Sequence, residues 1–397
     1  MRRTTLLAFA AIVAIVAVPS AQAHKGHGTW HGKGKGVPAG TVIASGLANP
    51  RGMNFDKHGD LWIAEAGSGA FVNGATPAGA TCFPGEGGGN TCFGTTGAFT
   101  RVHAGSQERV VSGLPSLGDQ ATGGSALGAS DILANGQHVV GLIGAGGNPT
   151  DRAKLEAVDP AAGLFGHIVK VNPWNGTVWP FADFVQYEAT NNPDQNTEEG
   201  GIDSDAYGLL ARHGGYVVAD AGGNDVLGVK HKQITTLAVF PDTLVPAPPF
   251  IQPPPPGGMI PMQAVPTSVA MRPHDPDIYV GQLTGFPFVP GAANVYRIKP
   301  DGTTEVFASG FTNIVDIAWG RNGSLYVLEI SANGLVSDNP GPGALYRVSA
   351  DGTSRTLVAS DGLVSPTAVA FGKDGTVYVS NNGMSATDGE VISLGKV

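Results

Sequence analysis

A strand pattern that returns six times along the chain restricts the fold more than any other feature of the sequence. Each copy has an apolar run, a turn containing glycine, and a second apolar run that closes on a polar residue in all but the second copy. The second runs are Leu61–Glu65, His138–Leu142, Tyr216–Asp220, Ile278–Gln282, Leu325–Glu329 and Val377–Asn381. One small sheet cannot bury both of its faces, so the copies must stack against one another. The repeat therefore predicts an all-β protein of the β-propeller type.

The two ends of the repeat region predict how the ring closes. Each copy extends to four strands, but the last copy stops after its third strand at Val391–Leu394. The segment Thr41–Leu47 has the fourth-strand pattern of Glu305–Phe311 and has no blade of its own. Pairing of these two segments would cover two bare sheet edges. We therefore predict a single six-bladed domain over residues 40–397, closed by the N-terminal strand, with a seventh, degenerate blade as the alternative.

Loop lengths predict that one face of the propeller carries function. In a four-stranded antiparallel blade, the first and third turns lie on one face, which we call the short-turn face. The second loops and the connections between blades lie on the opposite, loop-rich face. The long segments all belong to the loop-rich face, and they are 67–98, 143–166, 182–205, 241–266, 283–293 and 331–343. Long ordered loops usually carry function, although drift in loop length is the alternative. Short helices are predicted within 151–158 and 181–191, and extended polyproline geometry near 248–256.

The first 23 residues have the three parts of an export signal. Arg2 and Arg3 form the basic region, Leu6–Val18 the apolar region, and Ala21–Ala23 a small-residue cleavage site. The apolar region is too short for a comfortable membrane span. We therefore predict a secreted protein, cleaved near Ala23–His24 and not membrane-spanning.

Composition restricts the partners of the mature chain. Residues 24–39 are rich in Gly, His and Lys and are predicted to be a flexible leader. Without Arg2 and Arg3, Lys plus Arg falls from 23 to 21 against 32 acids, a net charge of −11. This charge repels nucleic acids and anionic lipid surfaces. We expect a monomer whose partner is a small molecule, a glycan or a protein.

Two cysteines, Cys82 and Cys92, lie ten residues apart in a Gly-rich segment. In an exported chain such a pair predicts a disulfide. A site with two thiolate metal ligands is the alternative.

Polar residues at the ends of the second strands are predicted to form a ring on the loop-rich side. They are Glu65, Asp220, Gln282, Glu329 and Asn381, and Leu142 interrupts the ring in the second blade. An acid or amide at a strand end can accept backbone N–H groups of the following loop. We interpret the ring as architectural, with a functional role as the alternative.

The innermost strands line the central channel and carry the candidate binding residues. Arg51 and Tyr207 align with Thr267, Val315 and Thr367 at the channel mouth. Asp316 lies in an apolar run, where a carboxylate needs a cation or hydrogen-bond donors. Asp205 ends an acidic stretch that leads into an inner strand. We predict that Arg51, Asp205, Tyr207 and Asp316 converge at the mouth on the loop-rich face. There they would bind a small polar ligand or a divalent cation such as Ca²⁺, with a structural ion pair or a capped acid as the alternative.

Several segments of the chain resemble the ScyD/ScyE family of exported bacterial proteins. They are Tyr216–Asp225 (YVVADAGGND), Tyr279–Phe288 (YVGQLTGFPF), Gly310–Ile317 (GFTNIVDI), Ser324–Glu329 (SLYVLE) and Val377–Gly383 (VYVSNNG). The resemblance covers most of residues 40–397. It implies an exported propeller similar to NHL-type and gluconolactonase-like propellers, and it implies no particular reaction.

The sequence leaves two functions open. The first is a binding protein that uses its loop-rich face and channel mouth without catalysis. The second is a hydrolase or lyase that uses a divalent cation in the channel, by analogy with six-bladed metal-dependent enzymes. No nucleophile or metal-binding motif identifies a catalytic group, so whether the chain is an enzyme stays open.

Overall fold

A computed structural model describes residues 40–85, 89–135, 138–144, 147–196 and 201–397. The predicted export signal and leader lie outside these residues, and so do Glu198 and Glu199 of the acidic stretch. The described strands form six antiparallel blades around one axis, as predicted.

In each blade the strands follow one another from the channel outward. Blade 1 is β2 (Pro50–Phe55), β3 (Leu61–Glu65), β5 (Asn90–His103) and β6 (Ser106–Asp119), with β4 (Cys82–Pro84) added to β5. Blade 2 is β7 (Ala129–Ala134), β8 (Val139–Ile143), β9 (His167–Val171) and β10 (Val178–Asp183). Blade 3 is β11 (Ala206–Arg212), β12 (Gly215–Asp220), β13 (Asp225–Lys230) and β14 (Gln233–Val239).

Blade 4 is β17 (Pro266–Ala270), β18 (Ile278–Gln282), β19 (Ala293–Ile298) and β20 (Thr304–Phe311). Blade 5 is β21 (Ile314–Trp319), β22 (Leu325–Glu329), β23 (Ala344–Val348) and β24 (Arg355–Ala359). Blade 6 is β25 (Ala368–Phe371), β26 (Val377–Asn381), β27 (Gly389–Gly395) and β1 (Thr41–Leu47). A separate hairpin, β15 (Thr243–Pro246) and β16 (Met259–Met262), lies between blades 3 and 4 in the chain.

Ring closure by the N-terminal strand is confirmed. β1 pairs antiparallel with β27, and Val42 lies opposite Ile392 and Ala44 opposite Val391. Ala44, Leu47 and Val391 are buried with Met53 and Ile63 of blade 1. The first strand thus completes blade 6 and also packs that blade against blade 1.

Apolar contacts between neighbouring blades form the core. Five of the six buried clusters each fill one contact between adjacent blades, and the sixth extends from blade 3 through blades 4 and 5 to blade 6. Between blades 1 and 2, Trp62 and Phe99 pack against Ile132 and Val169. A side chain at Gly141 would lie 2.0 Å from the Phe99 ring, so this close approach of the two blades requires glycine.

Hydroxyl groups join the inner strands to one another near the loop-rich face. Ser130 Oγ donates to the Ala206 carbonyl, Thr267 Oγ1 to the Ile314 carbonyl, and Thr367 Oγ1 to the Pro50 carbonyl. Each bond joins an even-numbered blade to the next blade in the ring. These bonds hold the inner strands around the channel in a fixed register.

The loops contain more regular structure than the sequence predicts. Both expected helices are present, as α1 (Pro149–Glu156) and α2 (Phe184–Asn191). The expected loop 67–98 instead contains β4 and the first half of β5, joined by the Cys82–Cys92 disulfide. The segment 241–266 contains the β15–β16 hairpin around its prolines. Neither described α-helix has the length and apolar character needed to cross a bilayer.

Candidate functional site

The six inner strands enclose a cavity of about 320 Å³ on the propeller axis. Toward the short-turn face its wall is apolar, with Phe55, Trp319 and Phe371 at the strand ends. Pro273, in the β17–β18 turn, lines the cavity and is exposed, so the cavity opens at the short-turn face. The polar lining lies deeper, toward the loop-rich face.

Arg51 closes the channel at the loop-rich face. Its side chain is 2% exposed and donates to the carbonyls of Pro50, Gly383 and Ala126. Gly383 lies in the β26–β27 loop and Ala126 in the connection from β6 to β7, so one guanidinium binds both segments over the axis. Burial is the main cause that lowers the pKa of Arg51. The expected mouth on the loop-rich face is thus closed, and the Arg51 donors bind backbone carbonyls.

Two aspartates, Asp131 of blade 2 and Asp316 of blade 5, line the cavity. Asp131 accepts N–H groups from Ile132 and Leu209 at 2.7 Å each. Asp316 does the same from Ile317 at 2.8 Å and from Val369 at 2.7 Å. Blades 2 and 5 are opposite in a ring of six, so the two carboxylates are related by an approximate two-fold axis. Each carboxylate also joins its blade to the next blade.

The surroundings of the two aspartates favour their neutral forms. Burial raises the pKa of Asp131 to about 7 and that of Asp316 to about 8. The hydrogen bonds from Leu209 and Val369 lower these pKa values, and the charge of Asp131 raises that of Asp316. A cation placed between the two carboxylates would favour the ionised forms. The pair is therefore electrostatically suited to a positively charged group.

Two buried hydroxyl groups complete the polar end of the cavity. Tyr207 is 8% exposed and Ser268 is 3% exposed, and both line the cavity. Within the described residues, neither the Tyr207 hydroxyl nor Ser268 Oγ has a hydrogen-bond partner. Burial raises the pKa of Tyr207 to about 12, so the hydroxyl stays a donor. A buried donor without a partner is costly, so a ligand that offers an acceptor here would gain affinity.

Three of the four predicted binding residues, Arg51, Asp205 and Tyr207, lie close together. Asp205 lies close enough to Arg51 for its charge to raise the pKa of Arg51, and the Arg51 charge in turn lowers the pKa of the neighbouring Tyr207. Asp205 is buried, and its backbone N–H donates to Asp220 Oδ1 at 2.7 Å. Asp316 lies one residue further along its strand, on the cavity side of the closure. The candidate binding residues predicted from the sequence did not include Asp131. Its local sequence, SDI (130–132), nevertheless matches that of Asp316, VDI (315–317).

A glycine in blade 1 makes room for Asp131. A Cβ at Gly52 would lie 2.1 Å from Asp131 Oδ1. Because no larger residue fits there, the side chain of Asp131 can lie along the cavity wall beside blade 1.

Comparison with known proteins gives no family for this chain. No family model matches it, and no curated protein matches it. One similar solved structure is regucalcin, a calcium-binding protein from Agrobacterium tumefaciens, at 12% identity over 90% of this chain and 95% of that chain, TM-score 0.46. Virginiamycin B lyase from Staphylococcus aureus is similar at 11% identity over 88% and 95%, TM-score 0.42. A luciferin-regenerating enzyme is similar at 10% identity over 88% and 92%, TM-score 0.45. Likeness at this level says nothing about a ligand or a reaction.

The polar residues at the second-strand ends bind backbone. Glu65, Glu329 and Asn381 accept the N–H groups of Ala48, Thr312 and Val364, each two or more residues before an inner strand of the same blade. Asp220 accepts from Asp205, and Gln282 accepts from Asn294. These bonds hold the loop-rich ends of the blades in place.

One position of the ring differs from the sequence alignment. β8 places Ile143, and not Leu142, opposite Ala129 and His167. Ile143 is therefore the residue of blade 2 that corresponds to Glu65 and Asp220.

Proposed function

We propose that this chain is a secreted, monomeric binding protein of the ScyD/ScyE type that holds a small organic cation in its channel. The cationic group lies between Asp131 and Asp316, and an apolar body lies among Phe55, Trp319 and Phe371. The observation that carries the proposal is the pair of carboxylates from blades 2 and 5 at the polar end of a cavity whose wall is apolar toward its opening.

Charge balance supports a cation over an anion. The one buried cation near the cavity among the described residues, Arg51, is bound to three backbone carbonyls. Asp131 and Asp316 each keep unused acceptor capacity after two backbone hydrogen bonds. A bound ammonium group would therefore gain charge-assisted hydrogen bonds that water in the channel matches poorly.

The other lining residues restrict the shape and polarity of the ligand. The aromatic side chains toward the short-turn face suit an apolar body. Tyr207 and Ser268 provide donors for one acceptor atom close to the cationic group. An amine with a short aromatic or aliphatic body meets these requirements.

Export is part of the proposal. The Cys82–Cys92 disulfide supports it, because such bonds persist in oxidising compartments. The metal-dependent hydrolase or lyase remains a prediction from the sequence.

Isothermal titration of residues 24–397 with benzylamine and with neutral benzyl alcohol tests the proposal. Benzylamine should bind more tightly at pH 8.5 than at pH 6, because the amine stays charged while Asp131 and Asp316 ionise. Asp316→Asn should weaken benzylamine binding by about tenfold or more, as loss of a charged hydrogen bond implies. Asp361→Asn, at an exposed position, is the matched control. Equal affinity for the amine and the alcohol, or unchanged binding by Asp316→Asn, would exclude this site.

A further inference from the structure

Five carboxylates lie together at the loop-rich end of blade 3, apart from the channel pair. Glu188 belongs to α2, Asp220 ends β12 and Asp225 begins β13. Asp194 and Asp203 come from the connection between α2 and β11. The cluster brings together α2, the connection from α2 to β11, and the β12–β13 pair. Only the last of these is held by the β-sheet hydrogen bonds of blade 3.

Two of these side chains have buried oxygens that no other described residue binds by a hydrogen bond. Asp225 is 0% exposed, and neither of its carboxylate oxygens has a hydrogen-bond partner within the described residues. Glu188 is 2% exposed, and Glu188 Oε1 likewise has no partner there. A buried carboxylate without donors is strongly disfavoured in its charged form. These oxygens therefore require either protons or a cation.

The charges that act on the two side chains are all negative. After burial, the charges of Asp220, Asp194 and Asp203 raise the pKa of Glu188, which reaches about 9. Burial, followed by Asp220, Glu188 and Asp194, raises the pKa of Asp225 well above its usual range. Asp220 and Asp225 also lie directly opposite each other on β12 and β13, a position where like charges repel. A bound cation would offset the repulsion between these carboxylates and would lower the pKa values of Glu188 and Asp225.

A turn of two glycines makes space among the carboxylates. A Cβ at Gly223 would lie 3.1 Å from Glu188 Oε2 and 3.7 Å from Asp220 Cγ. A Cβ at Gly222 would lie 2.9 Å from Asp203 Oδ2. The N–H groups of both glycines point to Asp220 Oδ1 at 3.2 Å, which fixes the turn. Side chains at these two positions would fill the space into which the carboxylates project.

We propose that this cluster is a Ca²⁺ site in which Asp225 and Glu188 are the principal ligands and Asp194 and Asp203 complete the shell. Calcium takes six to eight oxygen ligands in adaptable geometry, whereas zinc prefers nitrogen and sulfur and magnesium demands a strict octahedron. In the described part of the chain no three acidic, His or Cys side chains already have the spacing of a metal site. Binding must therefore draw these carboxylates inward by side-chain rotation.

The ion would join the connection between blades 2 and 3 to the outer part of blade 3. Asp194 Oδ2 accepts a hydrogen bond from Asn224 Nδ2, so the 192–196 turn already reaches the start of β13. Calcium would add ligand bonds between α2, this turn and β13. The expected effect is a stiffer loop-rich face around blade 3.

The test uses residues 24–397 treated with EGTA and then titrated with CaCl₂ or MgCl₂. We expect one Ca²⁺ per chain by calorimetry, with much weaker binding of Mg²⁺. At a Ca²⁺ concentration about a hundredfold above Kd, the Tm should rise by about 5 °C or more. Asp225→Asn and Glu188→Gln should each weaken Ca²⁺ binding at least about tenfold and remove the rise in Tm. The matched control is Glu329→Gln, because Glu329 is a buried strand-end carboxylate of blade 5 and should leave Ca²⁺ binding unchanged.

Without calcium, Asp225→Asn should also raise the Tm, because the amide is neutral without the proton that Asp225 must take up on folding among like charges. Absence of Ca²⁺ binding by the wild-type chain would overturn the proposal. Wild-type Ca²⁺ affinity in both Asp225→Asn and Glu188→Gln would overturn it as well. A lower Tm of Asp225→Asn in EGTA would show that the carboxylate has partners and would also contradict the site.

Discussion

The stability of the propeller should depend on pH through Asp316. The folded chain holds the pKa of Asp316 at about 8, against an ordinary value of 3.8. Between these two pH values the folded state binds more protons than the unfolded state, so the free energy of unfolding falls as pH rises. Asp316→Asn cannot ionise and should lack this dependence. The variant should therefore gain stability relative to the wild type as pH rises from 5 to 8.

The size of this gain in the free energy of unfolding follows from the shift in the pKa of Asp316. Each pH unit within the window corresponds to about 1.4 kcal/mol, which sets an upper limit of about 4 kcal/mol between pH 5 and pH 8. Asp316 is partly exposed to the cavity, and water there screens the charge, so we expect about 2 kcal/mol. The amide offers one acceptor oxygen to two N–H groups, from Ile317 and Val369. The lost bond adds a cost of about 1 kcal/mol at both pH values.

Urea unfolding at pH 5 and pH 8, in EGTA at constant ionic strength, measures both effects. The wild-type chain, Asp316→Asn and the exposed control Asp361→Asn are compared at each pH. The reasoning fails if the difference between Asp316→Asn and the wild type is the same at both pH values within about 0.5 kcal/mol. It also fails if Asp361→Asn shows the same change with pH.

Three further predictions concern the frame around the site. Deletion of residues 40–47 should prevent cooperative unfolding or lower the Tm by more than about 10 °C, because it exposes the edge of β27 and removes the buried Leu47. The control Val42→Thr, on the exposed side of β1, should change the Tm little. Replacement of Cys82 and Cys92 by Ser should cost about 3 kcal/mol for a closed loop of 10 residues, and dithiothreitol should lower the Tm of the wild type but not of the variant. Arg51→Ala should cost about 2–4 kcal/mol because it leaves buried carbonyls unpaired, and an unchanged Tm would show that the closure is not structural.

The fold was predictable because its determinants are local and repeated. Blade number follows from a pattern that six segments share, and ring closure follows from two unpaired edges at the ends of the repeat. The extension of β5 back to Asn90 was not predictable, because NTCFGTTGAF (90–99) is rich in turn-forming residues. Pairing with β4 through the disulfide, and with the 14-residue β6, holds this segment as a strand.

The sequence predicted residues that line the channel, but it did not predict the face of the propeller at which the channel opens. The inner-strand alignment identifies Tyr207 and Asp316, and the same alignment of blade 2 would have added Asp131. The closure by Arg51 depends on Gly383, which is 332 residues away in the chain, and on Ala126, 75 residues away. No periodicity in the sequence encodes such contacts, so the position of the opening required the structure.

The paired outer strands of blade 6 have a consequence for how the protein can be attached to anything else. Thr41 lies opposite Ser393, so β1 begins and β27 ends side by side, at the rim of the face where the cavity opens. A short tether fused directly after Val397 would therefore hold the propeller with its cavity turned toward the support and its large loops turned away. Immobilised protein should take up channel ligands more slowly on short linkers than on long ones, while the opposite face stays accessible.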